Sequence, residues 1–129
     1  MRRAFWGLPK RLPAWQSGRG NEPLVLCYHR VVERVDEHPS SAPAMLVSRA
    51  TLERQLAGVD RRYRFVGLDE LARAVEDGSA ASAKRPLAAV TFDDGYADVF
   101  HVGFPLLRRM GIPPAVFVPT VPEPPAMGE

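Results

Sequence analysis

The stretch PLAAVTF, residues 86–92, limits the possible folds more than any other part of the chain. It is apolar apart from Thr91, it is short, and it stops at two adjacent carboxylates, Asp93 and Asp94, followed by a glycine. A strand with one wetted face alternates apolar and polar residues, whereas an unbroken run suits a strand covered on both faces, as helices cover a parallel sheet. PLVLCYH over 23–29 reads as a second buried strand, with Cys27 as a small core residue and with Tyr28 and His29 at its end.

Helical periods fill the space between such runs. Ser48 has the character of an N-cap before RATLERQLAGVDRRY, where Leu52, Leu56, Val59 and Tyr63 recur at helical spacing. RFVGL (64–68) reads as a short strand, and LDELARAVEDG places Leu68, Leu71, Ala72 and Val75 on one stripe that Gly78 stops. SAASAKR reads as a loop. Past the aspartates, Val99, Val102, Leu106, Leu107 and Met110 form a third stripe that Gly111 ends, and Ala115 to Val118 supply a fourth strand. Alternating strands and helices predict an α/β architecture with a parallel sheet or barrel. The polar, proline-containing segment from Val32 to Pro43 reads as a loop.

Composition narrows the function classes. With 129 residues, 46% hydrophobic and 25% charged, the chain can bury one modest core. A formal net charge of +2, with basic residues spread along the chain, gives no nucleic-acid footprint. Residues 1–22 read as a flexible basic arm rich in Gly, Pro and Arg, and 121–129 as an unstructured tail. Pro9, Lys10 and Arg11 interrupt the opening before the apolar core of an export signal can form, and no run reaches the ~18 apolar residues of a membrane span. A cytoplasmic location is the expectation that follows.

The chemistry concentrates at Asp93 and Asp94. In parallel α/β folds functional groups collect at the C-terminal ends of strands, where loops vary without disturbing the core. Neighbouring strand residues point to opposite sides, so the two carboxylates need not share a role. Gly95 permits a sharp turn, and Asp98 can cap the helix that follows, so an ordinary Asp-Gly turn is the bland alternative. Of the histidines, His38 reads as solvated in its loop and His101 as a surface or boundary residue, while His29 shares a strand face with Cys27. A Cys-x-His pair alone is weak evidence for a metal.

TFDDGY together with CYHRV upstream and FPLLRRMGIPPAVFV downstream resembles the polysaccharide deacetylase family, also called the NodB-homology domain, from about Pro23 to Thr120. That resemblance implies the N-terminal portion of a distorted (β/α) barrel that hydrolyses acetyl groups on carbohydrate, a carbon–nitrogen, non-peptide bond in the N-acetyl case, with a divalent metal such as zinc. By the motif match Asp93 corresponds to the general base and Asp94 to a metal ligand, and His29 matches a histidine near the site. Acetylated polysaccharide or oligosaccharide is the implied partner.

The same resemblance places the remaining ligands, in an H[ST]xxH motif, and the histidine acid past the end of this sequence. The expectation is therefore a partial domain of 23–120 with an incomplete metal site, self-associating through exposed strand edges and releasing little acetate on its own. A catalytically inactive fragment or carbohydrate-binding module is the competing reading. A haloacid dehalogenase-like phosphotransferase is a third, but its aspartates stand two apart on one side of a strand, and here they are adjacent.

Overall fold

The computed structural model describes residues 21–38 and 42–120, and among these a six-residue strand, β5 (Leu87–Phe92), is the organising element. Every one of its residues is buried. β1 (Leu24–Tyr28) runs parallel along one edge, from Leu24 beside Ala88 to Tyr28 beside Phe92. The opposite edge is shared by β4 (Arg64–Phe65), paired with Leu87 and Ala88, and β6 (Pro114–Val116), paired with Val90 to Phe92. All pairings are parallel, as the apolar runs predict.

Three helices cover this sheet. In α1 (Arg49–Asp60) the side chain of Ser48 accepts a hydrogen bond from the Thr51 amide at 3.1 Å, the N-cap expected from the sequence. Leu52 and Leu56 of α1 pack with Val90, Phe92, Val99, Leu106, Leu107 and Ile112 in the larger core cluster, on one face of β5. α2 (Leu68–Glu76) sends Leu71 to the other face, against Leu87, Ala89 and Val66. Gly78, at φ 78°, carries the chain out of α2, so the expected stop is a left-handed glycine.

The third helical stripe is not one regular helix. Val99–Gly103 winds as a π-helical turn and only Phe104–Met110 is α-helical, as α3. Pro105 has no N–H to give the carbonyl four residues back, so the α ladder cannot run unbroken through it. Gly103 lies in this turn, where a Cβ would stand 3.3 Å from Val31 Cγ2, so a bare backbone lets the turn close on the strand beneath.

Several other expectations are corrected. The segment read as a loop begins in a strand: β2 (Arg30–Val32) pairs in parallel with β3 (Leu46–Ser48) as a separate two-stranded sheet. Valine-rich triplets are too short to show a period, and their pairing is decided by the core beneath Val31 and Val32. RFVGL holds only two strand residues, because Gly67 already caps α2 and Leu68 lies inside it. SAASAKR contains a 3-10 turn at Ser79–Ser82, and β6 begins at Pro114 and ends at Val116, earlier than read. β1 is not buried on both faces: Leu24, Leu26 and Tyr28 turn inward, while Val25 is 48% exposed and Cys27 is exposed.

The sheet is open among the described residues, a partial α/β domain rather than a closed barrel. The arm and the tail lie outside the described residues except for Asn21 and Glu22, and there the Asn21 amide donates to the carbonyls of Ala81 and Ala83, so the arm's end is fastened. No described helix is long and apolar enough to cross a membrane.

Two measurements check this packing. Phe92→Ala removes the largest fully buried side chain, and is expected to lower the unfolding free energy by about 3–5 kcal/mol in urea titration. Burial pushes the Tyr28 hydroxyl, which donates to Gln55 Oε1 at 2.9 Å, from 10.0 up to about 12. The folded state thus holds this proton more tightly than the unfolded one, and the resulting stability is complete below pH 10 and lost as pH rises through about 12. Absorbance at alkaline pH should show a tyrosinate step near pH 12 that Tyr28→Phe removes.

Candidate functional site

β1 and β5 end side by side, and the residues that follow each strand meet there. The Asp93 amide donates to the Tyr28 carbonyl at 2.9 Å, so the ladder extends one residue beyond β5 and sets Asp93 beside His29. Pleating then puts Cys27 and His29 of one segment on the same face as Thr91 and Asp93 of the other. The Cys27 thiol donates to Asp93 Oδ2 at 3.4 Å.

Asp94 leaves the strand abruptly. Its φ of 70° makes it the one non-glycine residue in the left-handed region among those described, and Gly95 follows at φ 64°. Aspartate tolerates that region better than most side chains, though at a cost of about 1–2 kcal/mol. The consequence is positional. A continued strand would send Asp94 to the face opposite Asp93, as the sequence suggested, but the turn brings its carboxylate back to His29, with Oδ2 2.9 Å from Nδ1. Both groups are partly exposed, at 38% and 41%, so the contact is open to solvent and to a ligand.

The structure thus brings together all three residues singled out from the motif, Asp93, Asp94 and His29. It keeps His101 apart, exposed on the π-helical turn. His38 is half-buried rather than solvated, because the Arg30 guanidinium reaches its Nε2 at 3.3 Å. Cys27 is corrected from core residue to exposed thiol. Desolvation first, and then the nearby carboxylates of Asp93 and Asp94, push that thiol above its ordinary range, against an opposing hydrogen bond with Thr91. It is held as a neutral donor to Asp93.

Residues that sequence reading missed hold the turn in place. Asp98 does not cap the helix through its side chain. Its carboxylate accepts from Arg30 Nε at 2.8 Å, from Arg30 Nη2 at 2.7 Å and from the Val31 amide at 3.2 Å. The same guanidinium lies 4.7 Å from the centre of the Tyr96 ring. Arg30 therefore ties the start of β2 to the segment that carries Asp93 and Asp94. Its position directly after the Tyr-His pair was the available signal, but a partner 68 residues away is invisible without the fold.

Removing this tie should loosen the site. Asp98→Ala leaves the half-buried Arg30 without its carboxylate, and is expected to cost about 2–3 kcal/mol in unfolding free energy, measured by urea titration. Asp69→Ala, which breaks an exposed ion pair with Arg73, should change it by less than about 1 kcal/mol.

No protein-family model and no curated protein sequence matches this chain. Solved structures do. A de-N-acetylase from Aggregatibacter actinomycetemcomitans is 27% identical with a TM-score of 0.59, over 73% of this chain and 36% of that one. IcaB from Ammonifex degensii is 36% identical with a TM-score of 0.56, over 74% of this chain and 37% of its own. A polysaccharide deacetylase from Bacillus cereus, at 22% identity and a TM-score of 0.52, shares the fold over 75% of this chain and 28% of its own. The chain thus spans between about a quarter and two fifths of the length of these proteins. The described residues are thus similar in fold to part of these deacetylase structures.

Proposed function

We propose that Asp93, Asp94 and His29 belong to the catalytic centre of a metal-dependent carbohydrate deacetylase, and that the described residues are the N-terminal portion of its distorted barrel. The observation that carries this reading is the meeting of the two consecutive carboxylates with His29 at the C-terminal ends of β1 and β5. The likeness to a de-N-acetylase supports the choice of reaction.

The donors suit the implied metal. Carboxylate oxygen and imidazole nitrogen are both ligands of zinc and similar divalent ions, and Asp94 and His29 offer one of each within hydrogen-bond distance. Asp94 would hold the ion, with His29 orienting its carboxylate. A bound divalent metal would supply an acidified water and a polarised acetyl carbonyl.

The chain's own groups account for the rest of this half-site. Asp93 accepts the proton of the attacking water as the new carbon–oxygen bond forms, and the carbon–nitrogen bond then breaks as that proton passes to the nitrogen, releasing acetate and a free amine. The hydrogen bond from the Asp93 amide to the Tyr28 carbonyl fixes that base against β1, and the Arg30–Asp98 pair fixes the turn behind it. The substrate class is an acetylated polysaccharide or oligosaccharide, which would meet the partly exposed Asp94 and His29.

A second reading, a carbohydrate-binding module without turnover, is favoured by the donor count. Among the described residues Asp94, oriented by His29, gives one ligand in this arrangement and His29 at most a second, where a catalytic zinc site normally has three from the protein. One assay separates the readings. Acetylated chito-oligosaccharide is incubated with the protein and zinc or cobalt, and acetate is measured alongside oligosaccharide binding. Slow, metal-stimulated acetate release that falls at least ~100-fold in Asp93→Asn and in Asp94→Asn is the expected result. Release untouched by either substitution would overturn the residue roles, and binding without release would favour the module.

A further inference from the structure

The open face of β1 carries a donor set different from the Asp94 and His29 pair. Cys27, His29 and Asp93 each present one ligand atom, and these three atoms lie within 4.8 Å of one another. We propose that Cys27, His29 and Asp93 form a binding site for a thiophilic divalent cation of the zinc type, one that meets the site centred on Asp94 only at His29. The inference stands on this geometry and does not rest on the deacetylase reading.

The spacing is close to what such an ion needs. Thiolate sulfur at ~2.3 Å and imidazole or carboxylate at ~2.0–2.2 Å from a tetrahedral centre lie roughly 3.3–3.7 Å apart, so side-chain rotations alone can close the set. The backbone beneath is fixed, because Cys27 pairs with Thr91, Tyr28 pairs with Phe92, and the Asp93 amide is bonded to the Tyr28 carbonyl. Cys27 is exposed, so an ion has a way in, and water can complete the coordination.

The donor chemistry selects the ion. Sulfur, nitrogen and one carboxylate oxygen together suit zinc, cobalt or cadmium rather than magnesium or calcium, which take oxygen ligands. His29 also has the support that ligating histidines usually have: with Nδ1–H donated to Asp94, the lone pair resides on Nε2. An ion bound through that nitrogen keeps the Asp94 contact intact. On binding, the sulfur–metal bond forms as the thiol proton passes to solvent, and Asp93 exchanges its contact with that thiol for one with the ion. Asp93 is then engaged as a ligand, so occupation of this site removes it from service as a base.

Cobalt reads the ligand set directly. The full chain, kept reduced and free of other metals, is titrated with Co2+ and followed by absorption. The expected spectrum has a near-ultraviolet thiolate-to-cobalt charge-transfer band and the visible bands of four-coordinate cobalt, both erased by added Zn2+. Cys27→Ser should abolish the charge-transfer band, and Asp93→Asn should weaken Co2+ binding at least ~tenfold, with circular dichroism confirming that each variant is folded. As Cys27 is the single cysteine in the sequence, saturating Zn2+ should also slow its alkylation by iodoacetamide at least ~tenfold. Cobalt binding without the thiolate band, absence of binding at millimolar cobalt, or alkylation indifferent to zinc would each overturn the proposal. None of these readouts depends on acetate release.

Discussion

The pairing of β5 on both of its edges is the constraint on which everything else rests. β1, β4 and β6 take their hydrogen bonds from this strand, and both hydrophobic clusters include its side chains. Its backbone groups are buried with it, so each must find a partner within the protein. That requirement is met along one edge by β1, along the other by β4 and β6, and past the strand's end by the bonds of Asp93 to Tyr28 and of Phe117 to Phe92. Parallel pairing aligns all the strand ends in one direction. A site at that edge is the outcome of how the core is covered.

The site then depends on how the chain leaves β5. Asp94 and Gly95 in succession at positive φ turn the backbone sharply enough to return the second carboxylate to β1. A side chain on Gly95 would stand 3.3 Å from Val118 and would also be strained, so glycine there serves both the turn and the approach of the segment after β6. Strain in this turn is held by the contacts around it, chiefly the carboxylate of Asp98 on Arg30 and Val31. The arrangement follows a common pattern, in which unfavourable local conformation persists near function because neighbouring structure over-determines it.

One face of β1 stays open, and this gives the edge its chemical range. Where α2 covers β5, Leu87 and Ala89 are sealed, whereas the adjacent Val25 and Cys27 on β1 are exposed. His29 stands between the two donor sets, touching Asp94 through Nδ1 and lying near Cys27 and Asp93. A single imidazole can thus orient the Asp94 carboxylate through one nitrogen and offer the other to an ion.

The parallel α/β class, the burial of PLAAVTF, the cap at Ser48 and the stops at Gly78 and Gly111 were all legible in the sequence, because each depends on local period or local backbone preference. The motif also identified Asp93, Asp94 and His29 as residues to watch. What the sequence alone did not determine were features set by contacts between distant segments. The short β2–β3 sheet exists because Val31 and Val32 are drawn into the core, and β1 keeps one face exposed at Val25 and Cys27 although its sequence is apolar. Cys27 could not be recognised as an exposed thiol beside Asp93 from an apolar neighbourhood in sequence. Nor could Asp98 be distinguished from an ordinary cap, since its partner Arg30 comes within reach only when β1 and β5 lie side by side. Local preference is written along the chain, whereas the meeting of Arg30 with Asp98 and of His29 with Asp94 is decided by which strands pair.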